Sequence, residues 1–149
     1  MAQYSDFNLS EETLKAVERM GFTEMTEIQE KAIPVMMEGR EIIAKAPTGT
    51  GKTCAFGIPI MEKIDPEKPA VQAIVLCPTR ELSTQIVEEL RQLAYFRPEV
   101  KVVAVYGGQP IDKQIGALKR GAQIVVATPG RMLDHMHRRT INLSQVQIA

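Results

Sequence analysis

A short stretch rich in glycine and threonine constrains the fold of this chain more than any other feature. It occupies residues 46–53, and in order it reads Ala46, Pro47, Thr48, Gly49, Thr50, Gly51, Lys52 and Thr53. A phosphate loop has two glycines separated by four residues, followed by Lys and then Ser or Thr. Ala46 takes the place of the first glycine, and the rest fits. An apolar run precedes the stretch and a helical pattern follows it, which predicts a strand, a loop and a helix.

The residue types of this stretch suit a polyphosphate. Glycines at 49 and 51 allow the backbone to curl so that successive N–H groups point into one concavity, which binds anions. Lys52 can reach the β and γ phosphates, and the Thr53 hydroxyl can ligate the Mg²⁺ that accompanies a nucleotide. The alternative is an ordinary turn before a helix. The flanking strand and helix and the Lys-Thr pair favour nucleotide phosphate binding.

Composition limits the class of protein. The chain has 149 residues, of which 44% are hydrophobic and 24% charged, with a formal net charge of zero. These values predict one globular domain, and any contact with nucleic acid must come from a local surface rather than from bulk charge. Cys54 and Cys77 form no CxxC pair, so we expect two buried, reduced thiols and a cytoplasmic protein. Neither a signal peptide nor a membrane span is expected.

The pattern of the whole chain predicts an α/β fold. Two helices are expected first, one capped by Ser10 and ending near residue 20, the other starting at Thr26 and kinked or restarted at Pro34. Strands and helices then alternate, which favours a three-layer parallel sheet covered by helices on both faces. The predicted strands are 41–45, 72–77, 100–106, 123–127 and the start of one at 145–149; the predicted helices are 51–64, bent at Pro59, then 81–95, 110–120 and 130–138.

The loops that follow the predicted strands are expected at one edge of the sheet, where such folds bind ligands. They offer hydroxyls, backbone amides and helix N-termini to a nucleic-acid backbone without an evident means of reading bases. Taken singly, each has a structural alternative, because a Thr before a helix is usually an N-cap and Arg80 could be in a surface ion pair or point inward. The candidate residues are Pro78, Thr79 and Arg80, then Gly107 and Gly108, then Thr128, Pro129, Gly130 and Arg131.

Two further features have open interpretations. Gln29 stands three residues after Thr26, as a capping box requires, and it could instead present its amide to an adenine edge. Phe22 could stack on that base or belong to the core. His135 and His137 are two residues apart on a predicted helix and face different ways, so metal binding is not expected and solvated or partly packed side chains are.

Together these segments resemble the DEAD-box RNA helicases, which have RecA-like domains. The resemblance covers essentially the whole chain and implies binding of ATP, Mg²⁺ and RNA. It implies that Gln29 reads adenine, that Phe22 stacks on it and that Tyr4 is the isolated upstream aromatic. Residues 46–53 resemble the family's phosphate loop, in which alanine comes first, and the three later loops resemble its RNA-backbone motifs. The predicted layout is residues 1–40 as N-terminal helices with the adenine-sensing motif and 41–149 as a partial RecA-like domain.

The chain departs from the family pattern in places. Met25 stands where proline is usual and Tyr4 where phenylalanine is usual. The acidic Asp-Glu-Ala-Asp motif and the second RecA-like domain are absent from these residues, so we expect a fragment that binds ATP without hydrolysing it. No catalytic residue is therefore assigned within it, and its open sheet edge could form a dimer.

Three functions fit the sequence to different extents. The favoured one is the ATP- and RNA-binding part of an RNA-dependent ATPase that unwinds short duplexes. A second is a nucleotide-gated RNA clamp that assembles RNA–protein complexes with little unwinding. A small-molecule kinase with a phosphate loop is a distant third, because it predicts no RNA binding and the Thr79 and Thr128 loops speak against it.

Overall fold

The computed structural model describes residues 3–4, 9–22, 24–38 and 52–146. Within them the chain divides into two compact units, one from Met1–Lys63 and Gln92–Arg97 and the other from Ile64–Arg91 and Pro98–Ala149. The predicted strand at 41–45 and most of the predicted phosphate loop lie outside the described residues.

Most of the described residues of the first unit are in helices, and Gln3 and Glu24 form an isolated antiparallel bridge. Helix α1 spans Glu11–Arg19 and is capped by Ser10, whose side chain accepts a hydrogen bond from the Thr13 amide. Helix α2, Glu27–Met37, packs on helix α3, Lys52–Lys63. Both helices run through an internal proline, Pro34 in α2 and Pro59 in α3. Of the two alternatives expected at Pro34, a kink or a restart, the restart is therefore wrong. Proline removes one backbone hydrogen bond from a helix interior, and the contacts between α2 and α3 offset part of this loss of stability.

The second unit contains three parallel strands in the order β1-β3-β2. Strand β1 is Ala73–Leu76, β2 is Val102–Val105 and β3 is Ile124–Ala127. In register, Ile74 of β1 and Val103 of β2 both lie opposite Val125. Helix α4, Arg80–Leu93, follows β1, helix α5, Ile111–Lys119, follows β2, and helix α6, Pro129–Arg138, follows β3. The predicted alternation is confirmed for these elements.

Strand β3 forms the centre of this unit. All four of its residues are fully buried. Alternate residues of a strand point to opposite faces of the sheet, so both faces of β3 are covered. On one face, Val125 and Ala127 belong to a cluster with Ile74, Val105 and other apolar side chains. The continuous apolar runs of the sequence therefore correspond to a buried parallel sheet.

Some large apolar side chains of these helices are exposed. Although all three side chains are apolar, Leu82 of α4 is 38% exposed, and Leu133 and Met136 of α6 are 54% and 44% exposed. Helix α6 instead buries Met132 and His135, which are one turn apart. Residues 145 and 146 form a turn and an irregular position rather than the start of a strand.

Candidate functional site

The three predicted loops of the second unit each follow a parallel strand and lie at the same edge of the sheet. The loop after β1 begins α4. There Thr79 Oγ1 accepts a hydrogen bond from the Leu82 amide at 3.2 Å, so the side chain of Thr79 caps the helix. Beneath it, the buried Cys77 thiol lies 2.8 Å from the Ser83 hydroxyl, which donates to the Thr79 carbonyl. These contacts fix the loop that carries Pro78 and Arg80.

Arg80 connects the loop after β1 to the loop after β2. Its guanidinium carbon lies 4.9 Å from the centre of the Tyr106 ring, a cation–π distance. Gly108 is next to it, since a Cβ built on Gly108 would meet Arg80 Nη1 at 3.6 Å. Gly108 also has φ +89°, a conformation that L side chains rarely adopt. Gly107 and Gly108 are exposed, so the backbone of this turn is accessible.

The loop after β3 is tied to the same turn. Arg131 Nη1 donates to the Gln109 carbonyl at 2.8 Å, and Arg131 Nε lies 3.9 Å from a carboxylate oxygen of Asp134. Only 16% of the Arg131 side chain is exposed. Thr128 occupies the N-cap position of α6, but its side chain makes no capping hydrogen bond. Helix capping therefore accounts for the side chain of Thr79 but not for that of Thr128.

A buried polar network that the sequence did not reveal lies behind these loops. Gln114 is 2% exposed, and its amide nitrogen donates to the Tyr106 carbonyl and to Gln109 Oε1, both at 2.9 Å. Its amide oxygen accepts from Arg131 Nη1 at 3.1 Å and lies 2.9 Å from His135 Nε2. The guanidinium can only donate, which fixes the orientation of the amide and makes His135 Nε2 a donor.

His135 completes the network. It is fully buried, not solvated or partly packed as the sequence suggested, and its Nδ1 lies 2.7 Å from the Thr140 hydroxyl. Burial lowers the pKa of His135, and the neighbouring Arg131 guanidinium lowers it further; Asp134 opposes this shift and Arg138 adds to it. The imidazole is thus held neutral, with Nδ1 accepting from Thr140.

We expect this histidine to make the folded chain less stable in mild acid. The unfolded state takes up a proton near pH 6.5, whereas the folded state does so only at lower pH, so the free energy of unfolding falls as the pH drops below about 6.5. The slope is limited to about 1.4 kcal/mol per pH unit for one proton. Urea unfolding between pH 7.5 and 5.5 should show a flatter dependence for His135→Gln, whereas the exposed His137→Gln should retain the full slope. If the free energy of unfolding has the same pH dependence in the unmodified chain and in both variants, the expectation is wrong.

The first unit holds the second group of candidates. Gln29 is 1% exposed and forms both halves of the capping box with Thr26. Its Oε1 accepts from the Thr26 amide at 3.2 Å and from the hydroxyl of Tyr4. Burial raises the pKa of the Tyr4 phenol, so the phenol stays protonated and acts as the donor. The capping box is therefore confirmed, and the adenine contact of Gln29 stays a prediction. Phe22, the residue predicted to stack on the base, is half-buried.

Most of the predicted phosphate loop, from Ala46 through Thr48, Gly49, Thr50 and Gly51, lies outside the described residues. Helix α3 begins at Lys52, where the motif places the start of a helix, and Thr53 follows in its first turn, half-buried. The N-terminus of a helix generally suits an anion.

Other described features limit the chemistry. Across the described ranges, no group of three or more His, Cys, Asp or Glu side chains could hold a metal ion. None of the helices described is both long and apolar enough to cross a membrane. Cys54 and Cys77 are buried, as expected, and the two do not form a disulfide.

Comparisons with known proteins agree on one family. The family model described as "DEAD/DEAH box helicase" matches residues 26–149. The chain is 53% identical over 147 residues to "ATP-dependent RNA helicase CshA" of Listeria monocytogenes, covering 99% of this chain and 28% of that protein. It is also 53% identical to "DEAD-box ATP-dependent RNA helicase CshA" of Bacillus subtilis, with coverage of 96% and 29%. The chain thus spans less than a third of the length of these relatives.

Solved structures lead to the same fold. The crystal structure of a DEAD box protein from Methanococcus jannaschii superposes with a TM-score of 0.89 at 41% identity, covering 98% of this chain and 40% of that one. The structure titled a hypothetical ATP-dependent RNA helicase from Sulfolobus tokodaii gives a TM-score of 0.81 at 40% identity, with coverage of 93% and 40%. The expected fold class, a RecA-like parallel sheet with helices, is confirmed.

Proposed function

Because this chain belongs to the DEAD/DEAH box helicase family, we propose that it supplies the ATP- and RNA-binding portion of an ATP-dependent RNA helicase. In the whole protein, RNA-stimulated ATP hydrolysis would drive the separation of short duplexes. The observation that carries the proposal is that the loops after β1 and β3 both contact the turn after β2. Arg80 lies beside Gly108, and Arg131 donates to the Gln109 carbonyl.

This convergence suits an RNA backbone. The exposed turn at Gly107 and Gly108 lets a sugar-phosphate chain approach the main chain closely. Apart from the residues next in sequence, no described residue lies within 4 Å of a Cβ built on Gly107 or Gly130. The N-terminus of α6 adds the positive end of a helix dipole, and Thr128 adds a hydroxyl that does not cap the helix. Contacts of this kind hold a strand without reading its sequence. The proposed RNA site comprises residues 78–80, 107–108 and 128–131.

We assign the nucleotide to the first unit. Residues 46–53 would surround the phosphates, with Lys52 on the β and γ phosphates and Thr53 on Mg²⁺. Gln29 would contact the adenine edge and Phe22 would stack on the base. Since Gln29 Oε1 already accepts from Thr26 and Tyr4, an adenine contact through this oxygen requires one of these partners to give way.

Hydrolysis requires acidic groups that hold Mg²⁺ and orient water. The 149 residues contain no Asp-Glu-Ala-Asp sequence, so we propose that these residues alone bind ATP without turning it over. Two buried cysteines that form no disulfide with each other suit a cytoplasmic location.

Nucleotide competition tests the proposal directly. The chain is expected to bind a fluorescent ATP analogue and a fluorescein-labelled oligouridine, and to release no phosphate in a malachite-green assay with or without RNA. ATP should displace the analogue better than GTP, and Gln29→Ala should reduce this preference because the amide no longer meets the base edge. The readouts are fluorescence anisotropy titrations with both nucleotides.

Thr26→Ala is the matched control. It removes the hydroxyl half of the capping box and costs about 0.5–2 kcal/mol of stability, but leaves the Gln29 amide in place. It should therefore keep the preference for ATP over GTP. If Gln29→Ala weakens both nucleotides equally, Gln29 acts only as a cap; if the chain binds neither RNA nor nucleotide, the proposed function is wrong.

A further inference from the structure

The side chain of Gln114 connects two loops of the proposed RNA site, although it belongs to neither. Its amide nitrogen holds the turn after β2 through the Tyr106 carbonyl and Gln109 Oε1. Its amide oxygen holds Arg131 of the loop after β3. Both donors and both acceptor positions of the amide are thereby used, at a position that is 2% exposed.

Arg131 depends on this arrangement. Its guanidinium donates to the Gln109 carbonyl and to Gln114 Oε1 from one nitrogen, so the turn and the amide together set its orientation. His135 holds the opposite side of the Gln114 oxygen, and Thr140 in turn holds His135. A continuous series of hydrogen bonds thus connects Thr140, just after α6, through His135 and Gln114 to the exposed glycine turn.

We propose that Gln114 is a positioning residue for RNA binding, which locks the glycine turn at 107–109 and the loop at 128–131 into one rigid surface through Arg131. This inference rests on the proposed function, since it assigns a role within the same RNA site. A rigid surface binds a strand more tightly because less conformational freedom is lost when the strand is bound. Gln114 itself does not touch the RNA.

The test compares Gln114→Met with the unmodified chain in two measurements. The methionine keeps the length of the side chain but loses all four hydrogen bonds. Hydrogen–deuterium exchange without RNA should become faster in segments 106–110 and 128–131 together. The dissociation constant of a fluorescein-labelled oligouridine should rise about three- to tenfold, the range for a lost hydrogen bond. Gln92→Met, a half-buried glutamine near the end of α4, is the control and should change neither quantity.

A double-mutant cycle separates positioning from a general loss of stability. If Gln114 acts through Arg131, then Gln114→Met should have little further effect on RNA affinity in an Arg131→Ala chain. A purely structural role would weaken binding by the same factor in both backgrounds. Gln114→Glu provides a second variant in case the methionine chain does not fold. It retains an acceptor for Arg131 and His135 but replaces the two donors to the turn with a carboxylate oxygen that repels the Tyr106 carbonyl and Gln109 Oε1.

Each outcome decides the inference. Faster exchange in both loops with a non-additive loss of RNA affinity supports it. Unchanged exchange, unchanged affinity in a loosened variant, or additive losses would each overturn it while leaving the proposed function intact. Absence of RNA binding by the unmodified chain would refute the proposed function and, with it, this inference.

Discussion

Replacing Arg97 with methionine is expected to lower the free energy of unfolding of the first unit by about 2–4 kcal/mol. The Arg97 guanidinium donates to the Met61 carbonyl and to the Ser10 hydroxyl, and lies 3.8 Å from a carboxylate oxygen of Glu62. Arg97 and Glu62 are only 13% and 10% exposed. The arginine thus joins the N-cap of α1 to the last turn of α3.

The size of the effect follows from what the substitution leaves behind. Among the described residues, Glu62 would keep its contacts with Ser10, whose amide and hydroxyl each donate to it at 3.0 Å. The carboxylate would then be a nearly buried charge without a cation, and the Met61 carbonyl would lose a donor. Removing one partner of a buried ion pair costs about 3–5 kcal/mol, and partial exposure of this pair reduces that figure.

Urea denaturation followed by circular dichroism measures the change, and three variants test its cause. Arg91→Met removes an exposed arginine with one hydrogen bond, to the Val102 carbonyl at 3.1 Å, and should cost less than about 1 kcal/mol. Arg97→Lys keeps the positive charge but not the planar guanidinium, so it should destabilise the first unit less than Arg97→Met does. Combining Arg97→Met with Glu62→Gln should cost less than the sum of the two single changes. A loss below about 0.5 kcal/mol for Arg97→Met would contradict the role given to it.

The elements that the sequence predicted well are those set by neighbours in the chain. Ser10 caps α1 and Thr26 pairs with Gln29 because both contacts span three residues, so spacing alone reveals them. The parallel strands were predictable for a similar reason, since continuous apolar runs between helical patterns fit only a sheet covered on both faces. The strands are shorter at their ends than predicted, as at β2, where pairing covers Val102–Val105.

Contacts between distant residues could not be predicted in this way. Arg97 meets Ser10 across 87 positions of the chain, and nothing near it in sequence distinguishes it from a solvated arginine. The orientation of helix α6 could not be predicted either. Hydrophobicity favours burial of Leu133 and Met136, whereas the helix exposes them and buries His135. That orientation follows from the hydrogen bonds His135 makes with Gln114 and Thr140. Polar networks of this kind leave no periodic signal in the sequence.

The proposed sites show the same difference between contacts within a short segment and contacts between distant residues. The loops at 78–80, 107–108 and 128–131 were predicted at one sheet edge, because the carboxyl ends of parallel strands meet there. Their coupling through Gln114 was not predicted, since a glutamine inside a helix pattern suggests a solvated position. The capping role of Gln29 was predicted from spacing, but its bond to Tyr4 joins residues 25 positions apart.

Lys52→Ala is expected to raise the dissociation constant for ATP by about 10- to 100-fold. The lysine is the first residue of α3. The N-terminus of a helix favours a phosphate through its dipole, and in the proposed site the ammonium would add a charge-assisted contact. Hydrogen bonds to charged groups contribute about 1.5–3 kcal/mol, and each 1.4 kcal/mol is a factor of ten in affinity. Anisotropy titrations with a fluorescent ATP analogue measure the change.

The pattern of loss across ligands identifies the cause. The phosphates, not the base, contact Lys52 in this proposal, so affinity for ATP should fall more than affinity for ADP, and affinity for adenosine should not change. Lys63→Ala removes a lysine from the last turn of the same helix and should leave all three affinities unchanged. A similar loss for adenosine would show that the substitution damages the fold of α3 rather than the phosphate contact. Equal weakening by Lys63→Ala would show that net charge, not position, governs binding.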